Sequence, residues 1–376
     1  MLPSERVKLT LEHQVPDRVP LALWGGPYGI VDPLYFSLLE KLDISSPTKP
    51  FRSGHTINYL DDRVLEGLGT DTRYIWPGAS PSSPKHGSHD DDLVYDDFGQ
   101  PWQMTSPYYS ATDGLLTKAH SLDDVEELVQ WPNTDDPRWT EGVNERSKAL
   151  KDSGFFIIGR MVLSHGPFQM ACDLRGMENF MIDMFDRPDF AKTLLNRITG
   201  LICDLTVNYL ESSQGVIDMI ELPGDDYAGN QNLILSPNLF RKMIRPCLEQ
   251  IIAVIRKQHP KVKIMLHSDG AITKLIPDFI DMGVDVLHPL EPVKGMNPAE
   301  IKIKYGQQLS FLGGVDISHA LPGSTQDVRN DIERCFRDLA PGGGYIMAPC
   351  NHLQADIPPE NVIEMYTYAN SAGIYH

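Results

Sequence analysis

The feature that most constrains this chain is the regular alternation of short apolar runs with amphipathic stretches through its C-terminal half. Residues 216–222, 262–267, 284–289, 309–315 and 344–348 are near-continuous β-branched or aliphatic runs, the pattern of parallel strands buried on both faces. Between them lie stretches with helix ends written into them. Ser236-Pro237 supplies an N-cap and a proline at the first helical position, after which Leu239, Met243, Cys247, Leu248, Ile251 and Ile255 mark one apolar face. Pro246 is expected to bend that helix. Ser324 with Asp327 has the spacing of a capping box, and Pro358-Pro359-Glu360 opens the last helix.

The N-terminal half adds three expected strands, at 19–24, 72–76 and 155–160. Eight strands separated by helices predict an α/β fold, a single (β/α)₈ TIM barrel with one domain spanning residues 1–376. Residues 77–137, rich in Pro, Ser, Asp and His, are too many for a simple loop and read as an elaborated N-terminal insertion near the barrel mouth. A doubly wound open sheet is the alternative, but the first βα turn carries no GxGxxG.

With 33 Lys+Arg against 51 Asp+Glu, the chain has a formal charge of −18. Such a surface repels nucleic acid and anionic membranes, which excludes both as expected partners. No apolar run is long enough for a membrane span, and the first residues carry charges where a signal peptide needs an apolar stretch, so a cytoplasmic location is expected. The five cysteines include no CxxC pair. Cys172, Cys203, Cys247 and Cys335 fall in helical stretches and read as core thiols of a reducing compartment.

In a barrel, functional groups sit where strands end and βα loops begin. Those positions hold Glu221 with Asp225 and Asp226, then His267-Ser268-Asp269-Gly270, His288 to Glu291, Gly313 to Asp316, and Cys350-Asn351-His352. Glu221, His267 and Cys350 form a mixed O/N/S donor set that suits zinc with an open fourth position. The plainer alternative is a helix-capping acid, a histidine hydrogen-bonded in its loop and a buried thiol. Gly342-Gly343-Gly344 reads as a helix end before a strand, not as a phosphate cradle. His86, His89 and Asp90 to Asp92 read as a solvated loop. Trp24, Trp76 and Trp102 are candidates to line an aromatic pocket.

These same segments resemble the uroporphyrinogen decarboxylase superfamily. The resemblance rests on His267-Ser-Asp-Gly270, on residues 276–285, on Gly313-Gly-Val-Asp316 and on the run from Gly342 through Cys350-Asn-His to Asn361. Gly224-Asp-Asp226, Ser236-Pro237 and Pro16-Asp-Arg-Val-Pro20 also fit. It implies one (β/α)₈ barrel and two possible chemistries. The decarboxylases carry an arginine-rich N-terminal motif, whereas residues 21–28 here contain no arginine to pair with a polycarboxylate. The other branch, the corrinoid-dependent methyltransferases, uses zinc held by a His-x-Cys pair and a later Cys. His267 and Cys350 match, and Asp269 stands in place of the middle cysteine.

The resemblance therefore implies a zinc methyltransferase, with Glu221, His267 and Cys350 as metal ligands and Asp269, Asp226 and His288 in catalytic roles. A carboxylate in place of a thiolate leaves a harder Lewis acid, which suits an oxygen-linked donor, an aryl methyl ether undergoing O-demethylation. The methyl acceptor would be the cobalt(I) of a corrinoid on a separate protein, because the chain has no Asp-x-His-x-x-Gly segment. A homodimer is also allowed. A cofactor-independent decarboxylase and a non-catalytic binding member of the family are the alternative functions.

Overall fold

The computed structural model describes residues 1–23, 29–45, 60–78, 93–105, 109–160, 162–163 and 165–375. Its strands are β1 (Thr72–Ile75), β2 (Leu93–Tyr95), β3 (Pro101–Met104), β4 (Tyr109–Ala111), β5 (Phe156–Gly159), β6 (Met219–Glu221), β7 (Lys263–His267), β8 (Val286–His288), β9 (Ser310–Val315) and β10 (Tyr345–Pro349). Seven of them form one parallel sheet in the order β1-β5-β6-β7-β8-β9-β10. Successive strands are neighbours and helices intervene, so the sheet curls as in a TIM-like barrel. Its strand residues are almost all buried, as continuous apolar runs covered on both faces require.

The seven expected runs from residue 72 onward each carry one of these strands. The run at 19–24 behaves differently. Ala22 N–H donates to Met347 O and Met347 N–H to Pro20 O, both at 2.9 Å, which bonds the segment to β10. On its other side, Asp71 N–H donates to Leu21 O at 2.8 Å, next to the start of β1. The segment thus touches β10 through an isolated bridge and the start of β1 through one backbone hydrogen bond. Trp24 lies outside the described residues.

Asp71 fixes that arrangement. Its carboxylate, 1% exposed, takes Arg6 Nη1 at 2.5 Å, Arg18 Nη1 at 2.8 Å and the backbone N–H of Leu21 at 2.8 Å. Arg18 is the arginine of the Pro16-Asp-Arg-Val-Pro20 motif, whose local role is therefore to anchor the N-terminal segment to the first strand.

Strands β2, β3 and β4 form a separate antiparallel sheet within the segment read as an insertion. Trp102 of β3 lies 6.3 Å, ring to ring, from His165 in the loop after β5, so this small sheet packs against a C-terminal strand exit. The tract of His86, His89 and Asp90 to Asp92 lies outside the described residues.

The helix signals read well. Ser236 Oγ accepts from Leu239 N–H, and Ser324 and Asp327 form the reciprocal capping box. Pro246 acts one turn earlier than a simple kink. It has no N–H to bond the carbonyl of residue 242, and the chain widens into a π-helical turn over Phe240–Ile244 before the helix Arg245–Gln258. Gly343, at φ +74°, approaches the backbone of Gln14 too closely for any Cβ, so the glycine run is structural. All five cysteines are buried and free.

Removing the Asp71 carboxylate takes the acid partner from Arg18, 16% exposed, and leaves Arg6, 9% exposed, with its second carboxylate contact at Asp17 alone. Asp71→Ala should therefore cost about 3–5 kcal/mol in urea unfolding, the usual penalty for breaking a buried pair. A loss under about 1 kcal/mol, typical of a surface pair, would show that the anchor is dispensable.

Candidate functional site

Strand register explains which side chains meet. Gly159 of β5 pairs with Ile220 of β6, so the residues that follow each, Arg160 and Glu221, stand side by side. Glu221 pairs with Met265, and two residues later His267 pairs with His288. In parallel strands, register partners share a face, as do residues i and i+2. Arg160 and Glu221 thus form a layer immediately below His267 and His288 at the C-terminal end of the sheet.

Arg160 Nη1 lies 2.9 Å from a Glu221 carboxylate oxygen, and neither side chain has any exposed surface. Above them, the Nδ1 atoms of His267 and His288 share a hydrogen bond of 2.7 Å, so one ring donates and the other accepts. Burial, joined by the positive charge of Arg160, depresses both imidazoles. His267 is lowered to about 4, and His288 is held well below its ordinary value, with His267 itself contributing. Both rings are neutral at pH 7.

The opposite nitrogen of His267 faces carboxylates. His267 Nε2 is 3.9 Å from Asp226 Oδ1 and 3.8 Å from Asp269 Oδ2. Asp226 Oδ1 also accepts the backbone N–H of Asp269 at 2.8 Å, which ties the β6 and β7 loops together. Asn351 Nδ2 donates to Asp269 Oδ2 at 2.6 Å from the loop after β10. The other Asp269 oxygen is sealed from solvent and has no hydrogen-bond partner among the described residues. Burial, with Asp226 and Glu291 nearby, pushes the Asp269 carboxyl well above the carboxylate range.

Among the described residues, the ligand atoms of Asp226, His267 and Asp269 all lie within 4.8 Å of one another. Two metal–ligand bonds of about 2.1 Å reach at most about 4.2 Å, so one ion can span the 3.8 and 3.9 Å separations. A cation there would also answer the crowded negative charge. The donor set is one neutral imidazole nitrogen and two carboxylates, which suits a divalent ion.

The structure brings together His267, Asp226 and Asp269, with His288 directly behind His267. Glu221, expected as a ligand, is instead engaged by Arg160. Cys350 is buried at the end of β10 outside the three-residue group, its thiol pushed well up by burial, with Glu291, Asp269 and Asp316 adding to the effect. Asp225, beside Asp226, accepts the Phe168 and Gln169 N–H groups and so caps the helix Pro167–Arg175. Burial raises it to about 6. Asp316 takes the N–H groups of Ser318 and His319, a loop-fixing role. Trp76 packs on Tyr74, and Trp102 on His165.

A curled parallel sheet with buried histidines and carboxylates at its C-terminal strand ends defines a protein of the α/β-barrel class. The chain belongs to the uroporphyrinogen decarboxylase (URO-D) family, whose model matches residues 117–372. A solved structure of a methyltransferase from Methanosarcina mazei is similar over 99% of each chain, with a TM-score of 0.64 and 17% identity. At that identity the likeness is one of fold. Comparison with curated protein sequences gave no match.

The buried pair yields a double test. Glu221→Gln removes the carboxylate charge 2.9 Å from the buried Arg160 guanidinium and should cost about 3–5 kcal/mol in urea unfolding. Replacing both by apolar residues, Arg160→Met with Glu221→Leu, should recover most of that loss, because a buried ion pair and a packed apolar pair are usually close in stability. A double variant less stable than Glu221→Gln would refute this account of the pair.

Proposed function

We propose that this chain is a methyltransferase that moves a methyl group from a small aryl methyl ether to the cobalt(I) of a corrinoid carried by a separate protein. The observation that carries the reading is the convergence of His267 Nε2 with the Asp226 and Asp269 carboxylates at two adjacent strand exits. The family match and the fold shared with a methyltransferase support it. Residues 20–22 serve as the eighth position of the barrel, between β10 and β1, and the β2–β4 sheet forms part of the wall of the mouth where the corrinoid protein docks.

A zinc ion held by Asp226, His267 and Asp269 would supply Lewis acidity toward the ether oxygen, stabilising the negative charge that develops as the methyl group leaves. The chain's own residues prepare that site. His288 fixes the tautomer of His267 through the Nδ1–Nδ1 bond and leaves Nε2 to act as a donor. Asn351 orients the Asp269 carboxylate, and the Asp226–Asp269 backbone bond sets the spacing of the two loops. Burial, with a smaller contribution from Arg160, keeps both imidazoles unprotonated, the form in which a histidine can bind an ion.

Purified protein should contain about one zinc per chain, the stoichiometry of a single site. His267→Ala and Asp269→Ala should lose most of it while the fold survives, and Cys350→Ser should keep it. Methyl-cobalt(III) formation, followed by absorbance with a reduced corrinoid protein and a methoxylated aromatic, should fall by at least about 10²-fold in the first two variants, the scale for losing one electrostatic stabiliser. Full zinc in His267→Ala, or no methyl transfer by wild type from any aryl methyl ether, would sink the reading. The protein should also form no coproporphyrinogen from uroporphyrinogen, since residues 21–28 offer no arginine to the substrate's carboxylates. A porphyrinogen assay checks this directly.

A further inference from the structure

Beside the proposed metal site lies a second pair of groups with no part in it. His165 Nδ1 is 3.0 Å from Asp173 Oδ2, with the imidazole 33% and the carboxylate 16% exposed. The other Asp173 oxygen accepts from Gln169 Nε2 at 2.8 Å, one turn back on the same helix. The carboxylate is thus fixed on both sides and holds the ring by Nδ1, which assigns any proton exchanged with a ligand to Nε2. Trp102 covers the ring from the small antiparallel sheet, its centroid 6.3 Å away.

The pair is tied to the proposed site by backbone. Gly166 N–H donates to Gly224 O at 2.9 Å, joining the loop that carries His165 to the loop that carries Asp226. Asp225, one residue from Asp226, caps the helix that carries Asp173. A Cβ on Gly166 would lie 2.6 Å from the Asp225 carboxylate, so the two loops approach as closely as glycine allows. His165 is therefore partly exposed, held by a carboxylate and placed one strand exit away from the carboxylate–histidine cluster.

We infer that His165 is a catalytic general acid for the leaving oxygen, with Asp173 as its positioning residue; the inference rests on the aryl methyl ether reading above. The carbon–oxygen bond breaks, its electron pair stays on oxygen, and the methyl group forms a bond to cobalt(I), which becomes cobalt(III). His165 Nε2–H gives its proton to the oxygen, so a phenol departs, and solvent returns a proton to the ring.

The test uses the zinc-loaded protein and its corrinoid protein partner with a series of methoxyarenes whose phenols differ in acidity. Protonation matters most when the phenolate is a poor leaving group. His165→Gln and Asp173→Asn should therefore lose about 10²- to 10⁴-fold in kcat, the range for general acid catalysis, with weakly acidic phenols. With nitro-substituted phenols as leaving groups they should fall within a few-fold of wild type. Free imidazole should restore part of the activity of His165→Ala on the poor leaving groups. Zinc content and thermal midpoint should match wild type in all three variants.

A loss of equal size across the series, or wild-type rates throughout, would overturn the role of His165 while leaving the proposed function intact. Absence of wild-type turnover with every ether would instead remove the donor class, and this inference with it.

Discussion

The Arg160–Glu221 pair is the interaction on which the site depends. A guanidinium and a carboxylate with no exposed surface stand 2.9 Å apart, and they are placed side by side by the register of β5 and β6. From one layer below, the guanidinium acts upward on His267 and His288 and adds to the burial that keeps them neutral. An imidazole that stayed protonated would repel a metal ion and would satisfy the facing carboxylates itself. A buried pair is a weak source of stability, so its contribution here is electrostatic: the guanidinium reinforces the effect of burial on the two histidines above it.

Much of the barrel is legible in the sequence, because its strands are buried on both faces and leave uninterrupted apolar runs. Caps such as Ser236 and the Ser324–Asp327 box are local and equally readable. The segment at residues 19–24 shows the limit. Its partner on one side is Met347, and no local pattern reports so distant a bond. The π-helical turn before Pro246 is a similar case, since a proline announces a disturbance without specifying its form.

The candidate site divides the same way. His267, Asp226, Asp269 and His288 could be found by looking at strand exits, because polar residues there have no packing purpose. Glu221 met the same test, yet its role depends on Arg160, which closes an apolar run and carries no local sign of a partner across the sheet. Only register, a tertiary quantity, reveals the pair. Asn351 stands at a strand exit too, but its bond to Asp269 and the His165–Asp173 contact are likewise invisible in one dimension. Asp269, the position where the resemblance departs, sits in a group whose other members are a carboxylate and an imidazole.

The bonds from Pro20 and Ala22 to Met347 have a consequence for how the chain is made. A ribosome releases the N-terminus first, yet the partner strand emerges roughly 325 residues later. At about 5–20 residues per second, that is an interval on the order of 15–60 s. Throughout it Leu21, Ala22 and Leu23, fully buried in the finished protein, have no sheet edge to join at β10. The link from Asp71 to Arg6, Arg18 and Leu21 needs only the first 71 residues, and so can hold the segment near β1 while synthesis continues. The Asp71 anchor thus closes within the first strand's reach, whereas the bond to β10 waits for almost the whole chain.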